Sequence, residues 1–259
     1  MQIEGHILTP GGFVRGALKM AHGRIAQVEG DAVDEATVRA DARVPLLLPG
    51  FIDLHVHGGG GADTMEGGTA VVTLARLHAR HGSTSLLATT MTAPLAEIEA
   101  ALRALAPAIA QRAPGAARVL GVHLEGPYIS PDKLGAQPAF ARPPALAEIL
   151  ALNAIARIRL VTMAPEVAGN LALIPALVEN GMRVQIGHTA ATYEEAVAAL
   201  QQGASGFTHL FNAMSALHHR APGVAGAALA HGQHAEIIPD LLHVHPGAIH
   251  AALRAIPGL

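Results

Sequence analysis

Across residues 1–47, short segments of alternating apolar and polar positions are cut by turn formers. Gly11-Gly12 closes the first segment, and His22-Gly23 separates Ala17-Leu18-Lys19-Met20 from Arg24-Ile25-Ala26-Gln27-Val28. Period-two alternation between glycine-containing turns predicts β-hairpins, so a small β-sandwich portion is expected over 1–47. From Val44 onward the rhythm changes: short apolar runs alternate with alanine-rich stretches of helical spacing, the mark of repeated βα units and a parallel sheet. Seven strands are predicted, at Gly50–His57, Ser83–Thr90, Val119–Glu125, Ile158–Met163, Arg183–His188, Gly206–Leu210 and Glu236–Pro239. Helices are predicted between and after them, at Thr69–Arg80, Leu95–Leu105, Thr192–Gln202 and Pro246–Ala255, the last with proline at its start. Residues 48–259 thus read as a TIM-like α/β barrel, (β/α)8, with about seven βα units. An eighth strand would start at Ile256-Pro257-Gly258-Leu259, where the chain stops, so an incomplete barrel is expected.

Composition narrows the function. Hydrophobic residues make up 51% and charged residues 14%, which suits a packed core and argues against a disordered chain. A formal net charge of -3 provides no basic field for nucleic acid or an acidic membrane, and neither partner is expected. The absence of cysteine excludes disulfide scaffolds, thiolate zinc sites and cysteine nucleophiles. Met1-Gln2-Ile3-Glu4 does not open a basic and then apolar leader, and no apolar run reaches membrane-spanning length, so a cytoplasmic protein is expected. Sixteen histidines, many at predicted strand ends, make metal chemistry the first to test.

Asp53-Leu54-His55-Val56-His57 precedes Gly58-Gly59-Gly60-Gly61. Alternate side chains of a strand share a face, so His55 and His57 project together at the C-terminal end, where such barrels do their chemistry. Two polar residues at a strand end would explain the pair equally well. The glycine run lacks the Gly-Lys-Ser/Thr of a phosphate cradle and reads as a flexible βα loop. In His123-Leu124-Glu125-Gly126-Pro127, His123 and Glu125 share a face, and a carboxylate pointing into a barrel needs a cationic partner or a metal. His188 and His209 end the fifth and sixth predicted strands, one βα repeat apart. Each histidine alone is more often structural; four of them with one glutamate, all at C-terminal strand ends, point to a divalent metal. A nitrogen and oxygen ligand set suits zinc, iron, manganese or cobalt, as one ion or two.

These residues resemble the amidohydrolase superfamily. Pro49-Gly50-Phe51-Ile52-Asp53, His123-Leu124-Glu125-Gly126-Pro127, Gly187-His188-Thr189 and His209-Leu210-Phe211-Asn212-Ala213-Met214 resemble in particular its N-acetylglucosamine-6-phosphate deacetylase family. The resemblance implies metal-dependent release of acetate from N-acetylglucosamine-6-phosphate. It implies that Glu125, His188 and His209 hold the principal metal, and that His55 and His57 support a second with Glu125 bridging. It assigns His243 to the acetamide carbonyl and its oxyanion, and Asn212, with Ala213 beside it, and Arg220 to the substrate. Arginine suits a phosphate through its planar fork, and in the family this arginine crosses from a neighbouring subunit, which implies a homodimer. Gln137 stands where many relatives carry a substrate-contacting histidine. The family's general base, an aspartate of the eighth strand, falls outside the chain; Asp240 reads as ordering the loop of His243. Two alternatives stand beside this reading. One is another amidohydrolase, a cyclic amidase or an aminohydrolase, although Ile158–Pro165 lacks the bridging lysine usual in cyclic amidases. The other is a non-catalytic protein that binds metal or sugar phosphate.

Overall fold

A computed structural model describes residues 1–259, which divide into two compact units, Met1–Phe51 and Ile52–Leu259. The first holds one four-stranded sheet of order β3-β2-β1-β4, the only sheet present in the stretch expected to form a sandwich portion. Its strands are β1 (Gln2–Thr9), β2 (Gly12–Ala21), β3 (Arg24–Val33) and β4 (Leu46–Leu47), with a short helix α1 (Glu35–Ala40) capped by Asp34. The β2–β3 turn has both central residues, His22 and Gly23, at positive φ (52° and 71°), the two-residue form whose twist matches that of the strands it joins.

The second unit is built on a six-stranded sheet whose spatial order follows the chain: β5 (Phe51–Val56), β8 (Ser83–Thr89), β9 (Arg118–Glu125), β10 (Ile158–Met163), β11 (Arg183–Ile186) and β12 (Gly206–Phe207). The ladders from β8 through β12 are parallel. Helices α2 (Thr69–Arg80), α3 (Leu95–Ala110), α4 (Leu146–Ile155), α5 (Asn170–Glu179) and α6 (Tyr193–Gln201) connect successive strands, the connectivity of a (β/α) barrel. Helices α7 (Gly223–His231) and α8 (Pro246–Ala255) follow β12. Helix starts have identifiable causes: Thr192 and Glu195 form a reciprocal capping box at α6, and Pro246 at α8 needs no N–H partner.

Both faces of the sheet are buried, as parallel strands require. On β9, Val122 and Leu124 are fully buried in one apolar core with Leu102 and Leu105 of α3 and Ile149 and Leu152 of α4. Strand alternation puts His123 and Glu125 on the other face. No helix is long and apolar enough to cross a membrane.

Two expectations are corrected. The glycine run is not a loose loop: β6 (Gly58–Gly59) and β7 (Ala62–Asp63) pair as a hairpin whose tip, Gly60-Gly61, has positive φ at both positions. The seventh strand at Glu236–Pro239 does not form. That segment meets the sheet through a bridge of Phe207 with Ala235 and through Glu236, whose N–H donates to Phe207 and whose carbonyl accepts from Leu210. Pro239 has no N–H with which to extend a ladder. On its other side, His234 is bridged in parallel by Gly258.

Candidate metal centre

Five side chains from distant parts of the chain converge on the carboxylate of Glu125, which ends β9 and is 1% exposed. Glu125 Oε1 lies 3.1 Å from His188 Nε2, 3.2 Å from His209 Nε2 and 3.3 Å from His55 Nε2; Oε2 lies 2.9 Å from His57 Nε2. The amide of Gln137 donates to Oε2 at 2.5 Å while its oxygen accepts the N–H of Thr92, so this side chain is committed to fixing the carboxylate.

Hydrogen positions follow from the acceptors. His188 Nδ1 is 2.8 Å from the carbonyl of Lys133, and His209 Nδ1 is 3.1 Å from the carbonyl of Asn212. Carbonyls only accept, so both Nδ1 atoms carry a proton, and in the neutral rings both Nε2 atoms present lone pairs. Those lone pairs are 3.0 Å apart and both face Glu125. Three acceptors converging at this range repel one another unless a proton or a metal cation is shared among them. Ligands at about 2.0–2.1 Å from one tetrahedral ion lie roughly 3.3 Å from each other, so the spacing fits a metal. His55 repeats the arrangement: Nδ1 is 3.1 Å from Glu236 Oε2, and Nε2 is 3.1 Å from His57 Nε2. The Nδ1 of His57 is buried without a hydrogen-bond partner.

The field has the sign a cation needs. Burial alone would raise the pKa of Glu125, but protons carried on the facing nitrogens of His188, His209, His55 and His57 would hydrogen-bond to it and hold it well below the usual carboxylate range, the role that a shared cation takes over when those nitrogens are neutral. Burial would likewise depress His55, yet Glu125 and Glu236 lift it to about 10. The backbone is bent to serve the site: His188 and His209 sit at φ 46° and 33°, left-handed positions that cost about 1–3 kcal/mol each in non-glycine residues. Such strain is characteristic of functional sites, where the surrounding structure maintains it.

His123 lies in the same cluster but differs in kind. Its Nδ1 is 3.0 Å from the Leu54 carbonyl and its Nε2 is 2.7 Å from Thr162 Oγ1, and burial lowers its pKa to about 4. With both nitrogens occupied it supports the site from below. Three further residues stay outside the cluster. His243 is exposed, its Nδ1 2.6 Å from Asp240 Oδ2, and Asp240 Oδ1 also accepts the N–H groups of Leu242 and His243. These bonds lower the Asp240 pKa to about 2. Arg220 is exposed beside a cavity of about 300 Å³ lined by Thr192, Tyr193, Ser215 and Gly223. Ala213 accepts the Thr189 N–H through its carbonyl.

Glu236 is the residue that sequence reasoning missed. It lies within an apolar stretch, Ala235-Glu236-Ile237-Ile238, the same setting that singled out Glu125.

Residues 46–249 match the amidohydrolase family. An N-acetylgalactosamine-6-phosphate deacetylase of Escherichia coli O157:H7 is 42% identical over 237 residues, covering 90% of this chain and 62% of that protein. An N-acetylglucosamine-6-phosphate deacetylase of Bos taurus is 38% identical over 269 residues, covering 97% of this chain and 65% of its own length. The chain therefore spans less than two thirds of these relatives. The crystal structure of an N-acetyl-D-glucosamine-6-phosphate deacetylase from Mycobacterium smegmatis superposes with a TM-score of 0.86 at 33% identity, over 99% of this chain and 68% of that one.

Proposed function

Because the chain belongs to the amidohydrolase family, we propose that it serves the metal-dependent hydrolysis of N-acetylglucosamine-6-phosphate to glucosamine-6-phosphate and acetate. The observation that carries this reading is the convergence of lone pairs from His188 and His209 on Glu125. Glu125, His188 and His209 would hold one divalent ion, and His55 and His57, with the other oxygen of Glu125, a second. Zinc, iron, manganese or cobalt all suit these donors. A divalent ion bound there supplies Lewis acidity toward a carbonyl oxygen and an acidified water.

The chain's own groups orient the ligands and the substrate, while the proton for the leaving amine would come from the eighth-strand aspartate that the resemblance implies. Gln137 keeps Glu125 oriented through its amide N–H. Asp240 accepts from Nδ1 of His243 and orients the ring, and as an imidazolium, with Nε2 also protonated, His243 would donate to the acetamide oxygen as charge develops there. Asn212 and Arg220 contact the substrate, Arg220 pairing with the phosphate; its exposure supports delivery into a partner subunit of a homodimer. The cytoplasm is the compartment proposed, where a phosphorylated amino sugar would be met.

A second substrate reading comes from the Escherichia coli relative, whose name gives the galacto epimer. Acetate release from the two epimeric phosphates by the zinc-loaded protein separates them. The gluco epimer is expected to be turned over faster, and Glu125→Gln to abolish release; unchanged release by that variant would remove the proposal.

A further inference from the structure

The four imidazoles of the centre are not held alike. His188 and His209 are each anchored at Nδ1 by a backbone carbonyl, a neutral acceptor that no side-chain substitution removes. His57 has nothing at Nδ1. His55 alone is anchored by a side chain that carries charge, Glu236, at 3.1 Å.

We infer that Glu236 is a positioning residue that sets how tightly the His55–His57 half of the centre holds a divalent cation, leaving the Glu125–His188–His209 half unaffected. This inference rests on the metal reading above. Geometry supports it first: with Nδ1–H donated to Glu236, the His55 ring has one orientation in which Nε2 faces both His57 and Glu125. A carboxylate behind a metal-bound imidazole fixes the tautomer and makes the ring a stronger donor. Charge supports it second. The only anion touching both halves is Glu125, so a second dication would meet a centre with one negative charge already shared; Glu236 adds another on the side of His55. Burial supports it third, because Glu236 Oε1 is enclosed and Gln185 offers the carboxylate a neutral amide and no countercharge, a costly arrangement for a carboxylate unless a cation lies nearby.

The nearby trio of His55, His123 and Glu236 is not a site of its own. Both nitrogens of His123 are occupied, by Leu54 and Thr162, and offer no lone pair to an ion.

The test is zinc binding by the metal-stripped protein in competition with a chromophoric chelator, for wild type, Glu236→Gln and Glu236→Asp. Wild type is expected to bind zinc in a tighter and a weaker class. Glu236→Gln should weaken only the weaker class, by about 10–100-fold, and Glu236→Asp, which keeps the charge but shortens the reach, by less. Melting of the zinc-free proteins establishes that each variant is folded; should Glu236→Gln not fold, Glu236→Asp carries the same comparison. Isotherms identical to wild type, both classes weakening together in a folded variant, or a wild type with a single class would each overturn the inference. A wild type that binds no zinc would instead overturn the metal reading itself.

Discussion

The two halves of the centre share one carboxylate and differ in how their histidines are held. On the His188–His209 side, strained left-handed backbone and main-chain carbonyls aim the rings. On the His55–His57 side, the rings leave an ordinary strand end, one steadied by a glutamate from far along the chain and the other by nothing at Nδ1. Main-chain anchoring makes a site part of the fold, whereas side-chain anchoring makes it adjustable by single substitutions. The difference teaches that one cluster of metal-ligand candidates can carry a built half and a tunable half.

The largest expected effect comes from removing what both halves share. Glu125→Gln should lower kcat/KM for the amino sugar phosphate at least a thousandfold, about 4 kcal/mol of transition-state stabilisation, and deplete bound metal, as steady-state assays and elemental analysis would show. A variant retaining both metal and activity would break the comparison at its centre. Next is Leu124→Ala, one residue away on the opposite face of β9 and fully buried. It should cost about 2–5 kcal/mol in denaturant unfolding while leaving metal stoichiometry unchanged, separating the packing face of the strand from its chemical face.

The halves themselves are then compared. His209→Ala should abolish the tighter zinc class, whereas His57→Ala should remove only the weaker one and lower kcat by about 10–100-fold. Equal effects of the two substitutions would contradict the asymmetry. The smallest effect concerns the exposed pair outside the centre. The folded pKa of Asp240, about 2, lies below its ordinary value of 3.8, so its stabilising contribution is complete above 3.8 and is lost as pH falls through about 2. The Tm difference between wild type and Asp240→Asn should therefore shrink on acidification from pH 5 toward pH 2.

Much of this architecture is legible in the amino-acid pattern, for local reasons. Helices Thr69–Arg80 and Pro246–Ala255 and strand Ile158–Met163 fall where periodicity, a terminal proline and an apolar run put them. The residues of the centre are legible because alternation puts His55 with His57 and His123 with Glu125 on one face. Whether a histidine is a ligand or a support is not legible, since that depends on what meets its second nitrogen: His123 meets Leu54 and Thr162. The missing seventh strand shows the same limit, because Ile237 and Ile238 have strand-like character but pairing depends on a neighbour supplied by the fold. Glu236 escaped notice because its partner, His55, is 181 residues away.

The most direct test of the centre is anomalous diffraction from crystals of the zinc-loaded protein, collected on both sides of the zinc absorption edge. The geometry predicts a zinc peak about 2.0–2.2 Å from a carboxylate oxygen of Glu125 and from Nε2 of both His188 and His209. Zinc bound elsewhere, with these three side chains still facing one another and no peak between them, would contradict it.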